Sequence, residues 1–196
     1  MDDPHTQAAA LAAIATWQPA VICAELELSE FARACLAQSP VASSFLSMLL
    51  RADCHRDAVT FLAHALPRRQ AVRWACDCVE AGAELGLPEA ACAAVAAARN
   101  WVVEPTAARC QAAATAAEGP GLDRDGGGRF AAFAAAWSGQ SLAPEGQPVV
   151  APAPALGAAA VCAAVMLAAA AGSPGGMDVR LRDFIGRGML SASPPG

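Results

Sequence analysis

Histidine and cysteine side chains are concentrated between residues 54 and 78 of this chain. Cys54 is followed directly by His55, His64 comes nine residues later, and Cys76 and Cys78 are separated by one residue. Imidazole and thiolate groups are common ligands of zinc, and a cysteine beside a histidine can act as a nucleophile with its base. These five residues are therefore the candidates for a metal site or a thiol-dependent catalytic site.

The helical geometry expected for this stretch argues against a shared metal at Cys76 and Cys78. Successive helical residues are rotated by ~100° about the helix axis, so two residues that are two positions apart differ by ~200° and point in nearly opposite directions. Thiols that point apart can neither bind one zinc ion nor form a disulfide with each other. Packed thiols are the preferred interpretation, and we expect no metal and no other cofactor.

The same predicted helix carries a charged stripe opposite its apolar residues. Arg73 and Asp77 are four residues apart, which predicts an ion pair on the helix surface. Arg69 extends this stripe, and Trp74 lies one turn before Cys78. The pattern is typical of a helix on the flank of a core. We therefore interpret Arg69, Arg73 and Trp74 as candidate protein-binding residues.

Charge and composition narrow the possible classes of function. The net charge is −5 and no run of basic residues occurs, which disfavours nucleic acid as a partner. The N-terminal residues, MDDPHTQ, are acidic and lack the positive n-region of a signal peptide. We therefore predict a cytoplasmic protein whose eight cysteines stay reduced.

Alanine and proline together indicate an all-α fold. Alanine dominates the chain and has the highest helix propensity, whereas the residue types that favour strands are sparse. Prolines precede several apolar periodic segments, where a missing N–H costs a helix nothing. The pattern predicts about eight to ten short antiparallel helices arranged as hairpins, at about 6–16, 29–37, 40–52, 55–66, 68–85, 89–103, 106–118, 129–138, 155–171 and 178–190.

A break in composition divides the chain. Residues 143–154, APEGQPVVAPAP, contain four prolines and predict an extended connector. We therefore expect a main helical body at 1–142, a proline-rich linker at 143–154, and a C-terminal helix pair at 155–196 that packs on the body.

The first helix of that pair, ALGAAAVCAAVMLAAAA at 155–171, approaches the length of a membrane span. A span needs about 20 strongly apolar residues, but most of these side chains are alanine. Close packing of small side chains in a buried helix is the preferred interpretation. A membrane-associated component anchored through this segment is an alternative.

Two segments carry a resemblance to known proteins. FLAHALPRRQAVRWACDCV and FAAFAAAWSGQSLAP resemble sequences of an uncharacterised bacterial family of all-helical proteins. The resemblance extends from about Cys23 to Ala171. Members of that family are often encoded near type VI secretion genes, so the resemblance implies a secretion-associated setting and no particular chemistry.

The leading hypothesis for function is a non-enzymatic adaptor or scaffold that binds other proteins, as an accessory component of a type VI secretion locus. It is motivated by the proline-rich linker and the amphipathic last helix. The main alternative is a metal- or thiol-dependent enzyme centred on the histidines and cysteines of residues 54–78.

Overall fold

The computed structural model describes residues 14, 17–83, 86–121, 126–139, 141–143, 147–153, 155–173 and 175–192. Within these residues the chain forms ten helices and no strand, which confirms the prediction of an all-α array. The helices are α1 (Pro19–Ile22), α2 (Glu30–Gln38), α3 (Ala42–Arg51), α4 (His55–Ala65), α5 (Arg68–Gly82), α6 (Glu89–Val103), α7 (Ala107–Ala117), α8 (Gly127–Ala136), α9 (Leu156–Ala170) and α10 (Met177–Ser191).

Most helix ends lie within two residues of the predicted ones, because local signals mark them. Pro67 and Pro88 stand at the N-caps of α5 and α6, and the Thr106 side chain accepts a hydrogen bond from Arg109 N at the start of α7. The single turn α1 was not predicted, since four residues show no periodicity. The helix predicted at 6–16 lies outside the described residues except for Ile14, which is helical.

Helices α5, α8 and α9 form the centre of the fold. Gly82 at the end of α5 lies directly against the backbone of Ala168 near the end of α9. Ala71 and Val161, near the starts of the same two helices, line one cleft. These contacts show that α5 and α9 run parallel. This central pair is brought together from distant parts of the chain.

The remaining helices surround that centre. Helices α6 and α7 pack against α8, α4 packs against α9 and α10, and α10 also packs against α5 and α9. Helices α1 and α3 pack beside α4, and α2 packs against α1 and α3. One cluster of buried side chains extends from Ile14 to Ile185. Helices α9 and α10 therefore share a core with the preceding helices. Among the described helices, none is both long and apolar enough to cross a membrane.

A buried carboxylate fixes α2 to α4. Asp57 in the first turn of α4 is 8 % exposed. Its two oxygens accept hydrogen bonds from Ser29 N at 3.0 Å and from Ser29 Oγ at 2.8 Å. Ser29 Oγ in turn accepts from Ala32 N, so it caps α2. The carboxylate thereby orients the N-cap residue and joins two helices that are otherwise connected through α3.

Replacing Asp57 with alanine is expected to lower the free energy of unfolding by about 1.5–3 kcal/mol, because two hydrogen bonds to a charged acceptor are lost. Urea denaturation of the variant measures this change. The control is Asp183→Ala, which removes an exposed pair with Arg187 four residues away and should cost about 0.3–0.5 kcal/mol. Equal losses in the two variants would show that Asp57 does not anchor α2.

Candidate functional site

The five histidine and cysteine candidates are distributed over three separate places. Cys54 and His55 lie at the start of α4, whereas His64 lies in its last turn and bonds through Nδ1 to Thr60 O at 2.9 Å. Cys76 and Cys78 lie in the centre of α5. Within the described residues, no three His, Cys, Asp or Glu side chains converge in an arrangement that can hold a metal ion.

Cys76 and Cys78 are both fully buried, on different sides of α5. On one side of α5, the charge of Arg99 on α6 lowers the pKa of the Cys76 thiol. On the other side, the charge of Arg187 on α10 lowers the pKa of the Cys78 thiol and that of Asp183 raises it. Burial raises the pKa of the Cys76 thiol to about 12 and the pKa of the Cys78 thiol still further. Both are therefore neutral thiols at physiological pH, and neither is an activated nucleophile.

His55 belongs to a polar cluster that joins α4 to α10. Its side chain is 3 % exposed, and its Nδ1 lies 3.4 Å from the Asp178 carboxylate. Its Nε2 accepts a hydrogen bond from Arg182 Nε at 3.2 Å, and Arg182 also pairs with Asp53. Both ring nitrogens thus face groups from α10. The ring connects two helices and does not present a free nitrogen to the neighbouring Cys54 thiol.

The prediction that Trp74 is available to a binding partner is wrong. Its side chain is fully buried beneath α10, and Nε1 donates a hydrogen bond to Phe184 O at 2.7 Å. Gly188 makes this approach possible, because a Cβ atom there would lie 2.8 Å from the indole ring. The indole is therefore part of the core, and the residues that cover it are more than 100 positions away in sequence.

Arg68 and Arg69 each bind the carboxyl-terminal end of a different helix. Arg69 donates to Val102 O and, at 2.9 Å, to Val103 O at the end of α6. Arg68 donates to Ser138 O just beyond α8, at 3.4 Å. Guanidinium groups at these positions satisfy carbonyls that lack helical partners and complement the helix dipole. The Arg69 side chain is exposed, but its N–H donors are bonded within the protein to the end of α6.

The predicted pair between Arg73 and Asp77 is also wrong. Asp77 binds Arg99 of α6 at 2.7 Å, and Arg99 forms a second, bidentate pair with Glu80 at 2.9 and 2.6 Å. Arg99 lowers the pKa of the Glu80 carboxyl. The charged stripe of α5 therefore faces α6. Helix α5 is covered on both sides and is not on the flank of the core, because Cys76 and Cys78 are both buried.

The segment that joins α8 to α9 carries three exposed large apolar side chains. We refer to residues 141–143 and 147–153 as the strap. Leu142 N donates to Val150 O at 2.7 Å, and Val150 N donates to Ser141 Oγ at 3.2 Å. Val149 is 75 % exposed, Val150 52 % and Leu142 41 %. The strap therefore presents apolar side chains from a backbone that its own hydrogen bonds hold in place.

A small cleft lies at the same end of the fold as the strap. Its volume is about 110 Å³, and it opens between α4, α5, α8 and α9, with His64, Arg68 and Trp137 among its lining residues. Trp137 stacks on Phe133 with ring centroids 4.6 Å apart. Sequence reasoning identified the proline-rich linker but not its exposed valines. The adjacent Val149 and Val150, in a segment otherwise poor in large apolar residues, were the available signal.

The comparisons with known proteins give one match. A model described as a family of unknown function matches residues 45–192, which is most of the chain and includes the strap, α9 and α10. This confirms the resemblance to an uncharacterised family, although the matched region starts and ends later than the predicted Cys23–Ala171. No curated protein and no solved structure gives a significant match.

Proposed function

Since the chain belongs to DUF6931, a family of unknown function, we propose a function from its own surface: a protein-binding adaptor or scaffold that carries out no chemistry. The strap is its binding site. The observation that carries the proposal is the exposure of Val149 and Val150 on a backbone anchored to Ser141 and Leu142.

The anchoring matters because binding is opposed by the entropy lost when a mobile segment becomes ordered. Val150 is bonded to the chain through both its N–H and its carbonyl group, so part of that cost is met when the protein folds. Since Val149 is 75 % and Val150 52 % exposed, covering either side chain contributes about 1–2 kcal/mol from apolar burial. A short, ordered, apolar strap therefore has the properties of a recognition segment.

The setting that we propose for this adaptor is a type VI secretion locus in a bacterial cytoplasm. The resemblance of FLAHALPRRQAVRWACDCV and FAAFAAAWSGQSLAP to proteins encoded near such loci supports this setting. The partners in this proposal are other protein components of the secretion apparatus.

A photoreactive amino acid at position 149 tests the binding site. We expect cross-linking in cells of the source organism to give a discrete adduct, since Val149 lies in the proposed interface. The matched control is the same amino acid at position 179, because Val179 is 72 % exposed on α10. Denaturing gels and mass spectrometry of the adducts provide the measurement. Equal adducts from both positions, or none from position 149, would contradict the proposal.

A further inference from the structure

Among the residues that the structure describes, one edge of the strap backbone is hydrogen-bonded to its own chain and the other is not. We infer that the strap binds by adding a single strand to the exposed edge of a β-sheet in its partner. This inference rests on the proposed function and specifies the kind of partner that the same surface recognises.

The inner edge is defined by Val150. Its N–H donates to Ser141 Oγ and its carbonyl accepts from Leu142 N, so both groups point toward residues 141–142. In an extended chain, the N–H and C=O of one residue point to the same side, and those of the next residue point to the opposite side. The backbone groups of Val149 and Ala151 therefore point away from residues 141–142. In the described part of the chain they have no hydrogen-bond partner.

The prolines of the strap leave that outer edge intact. Pro148 and Pro152 lie two residues before and after Val150, so their missing N–H groups fall on the inner edge. Each proline also restricts the residue before it to extended conformations, here Gln147 and Ala151, which keeps these parts of the strap extended. At the far end, Ala153 O accepts from Leu156 N as α9 begins. The Ala153 carbonyl is therefore already bonded, and the outer edge offers the N–H and C=O groups of Val149 and Ala151.

This pattern selects a partner whose own backbone carries complementary groups at the same repeat, about 6.8 Å for two residues of a strand. The exposed edge strand of a β-sheet has that arrangement. Binding by strand addition takes its affinity from main-chain hydrogen bonds and its specificity from alternate side chains. An aromatic groove that binds polyproline helices recognises proline rings and carbonyl groups, and it does not need the N–H of Ala151.

A proline substitution separates these two modes of binding. Ala151→Pro removes one outward N–H and places a ring on the outer edge, while Ala151→Ser keeps the N–H with a side chain of similar size. Each substitution is combined with the photoreactive amino acid at position 149, and thermal unfolding confirms that both proteins fold. We expect Ala151→Pro to reduce the yield of the position-149 adduct at least about tenfold, the effect of losing one to two hydrogen bonds, and Ala151→Ser to leave it unchanged.

Hydrogen exchange in the free protein provides an independent measurement. The amide of Val150 is expected to exchange more slowly than those of Val149 and Ala151. Protection of all three amides in the free protein would overturn the inference, because the outer edge would already be bonded.

The other outcomes are equally decisive. An adduct that survives Ala151→Pro points to a polyproline groove, and one lost in both variants points to a side-chain contact. An adduct between two copies of this chain would replace the β-sheet partner with a second strap. Each of these results overturns strand addition while leaving a binding role for the strap. The absence of any adduct at position 149 in the unsubstituted strap would remove the proposed function itself.

Discussion

Replacing Trp74 with alanine is expected to lower the free energy of unfolding by about 3–5 kcal/mol, more than the loss expected for Asp57→Ala. The indole is fully buried between α5 and α10, and its Nε1 hydrogen bond to Phe184 O fixes the two helices in register. The substitution leaves a cavity that the rigid backbone at Gly188 cannot fill. Urea denaturation followed by circular dichroism gives the measurement.

Two further variants define what the tryptophan contributes. Trp74→Phe keeps most of the packed ring but removes the Nε1 donor, and its expected cost is about 1–2 kcal/mol. Trp137→Ala is the matched control, since Trp137 is only partly buried and should cost less than Trp74→Ala. If the two alanine variants unfold at the same denaturant concentration, Trp74 does not hold α10 on the body.

Raising the pH from about 9 to 11 is expected to reduce the free energy of unfolding by about 3 kcal/mol per pH unit through Cys76 and Cys78 together. Burial raises the pKa of the Cys76 thiol to about 12 and the pKa of the Cys78 thiol further, whereas a thiol in the unfolded chain ionises near pH 8.5. A raised folded-state pKa stabilises the protein fully below the unfolded value. That stability is lost as the pH rises toward the folded value, at ~1.4 kcal/mol per unit for each thiol.

The double variant Cys76→Ala/Cys78→Ala isolates this contribution. Its stability should fall less steeply between pH 9 and 11 than that of the unsubstituted protein, in parallel urea titrations. The chain contains no tyrosine and no lysine, the other side chains that would titrate in this pH range. A remaining slope is expected from Cys23, whose pKa is raised to about 11. Identical slopes in the two proteins would show that the two thiols are not buried as the structure has them.

The positions of the helices were accessible from sequence because the signals that define a helix lie within a few residues of one another. Helix α6 spans Glu89–Val103, the same residues that its alanine content and Pro88 predict. The fold class was confirmed for the same reason. The burial of the apolar helix α9 was also expected from its small side chains, and Val161 and Val165 are fully buried.

The protein-binding candidates were harder to judge, because exposure depends on what packs over a residue. The spacing of Arg69 along α5 predicts a solvent-exposed charged residue, but its guanidinium group donates hydrogen bonds to the end of α6. Asp77 has a potential partner four residues away, but Arg99 approaches it from another helix. For Val149 in the strap the discrepancy is reversed, because an apolar side chain that favours burial lies exposed outside the core.

Local signals in the sequence specify a set of short helices with an extended segment before the last two. They also imply that Cys76 and Cys78 point in different directions, since helical rotation is a local property. Contacts between distant parts of the chain bring both directions into the core and place Trp74 under Phe184 and Gly188. They also leave the backbone groups of Val149 and Ala151 without a hydrogen-bond partner among the described residues. The two differ because helix formation depends on residues about four apart, whereas burial depends on contacts between residues far apart in the chain.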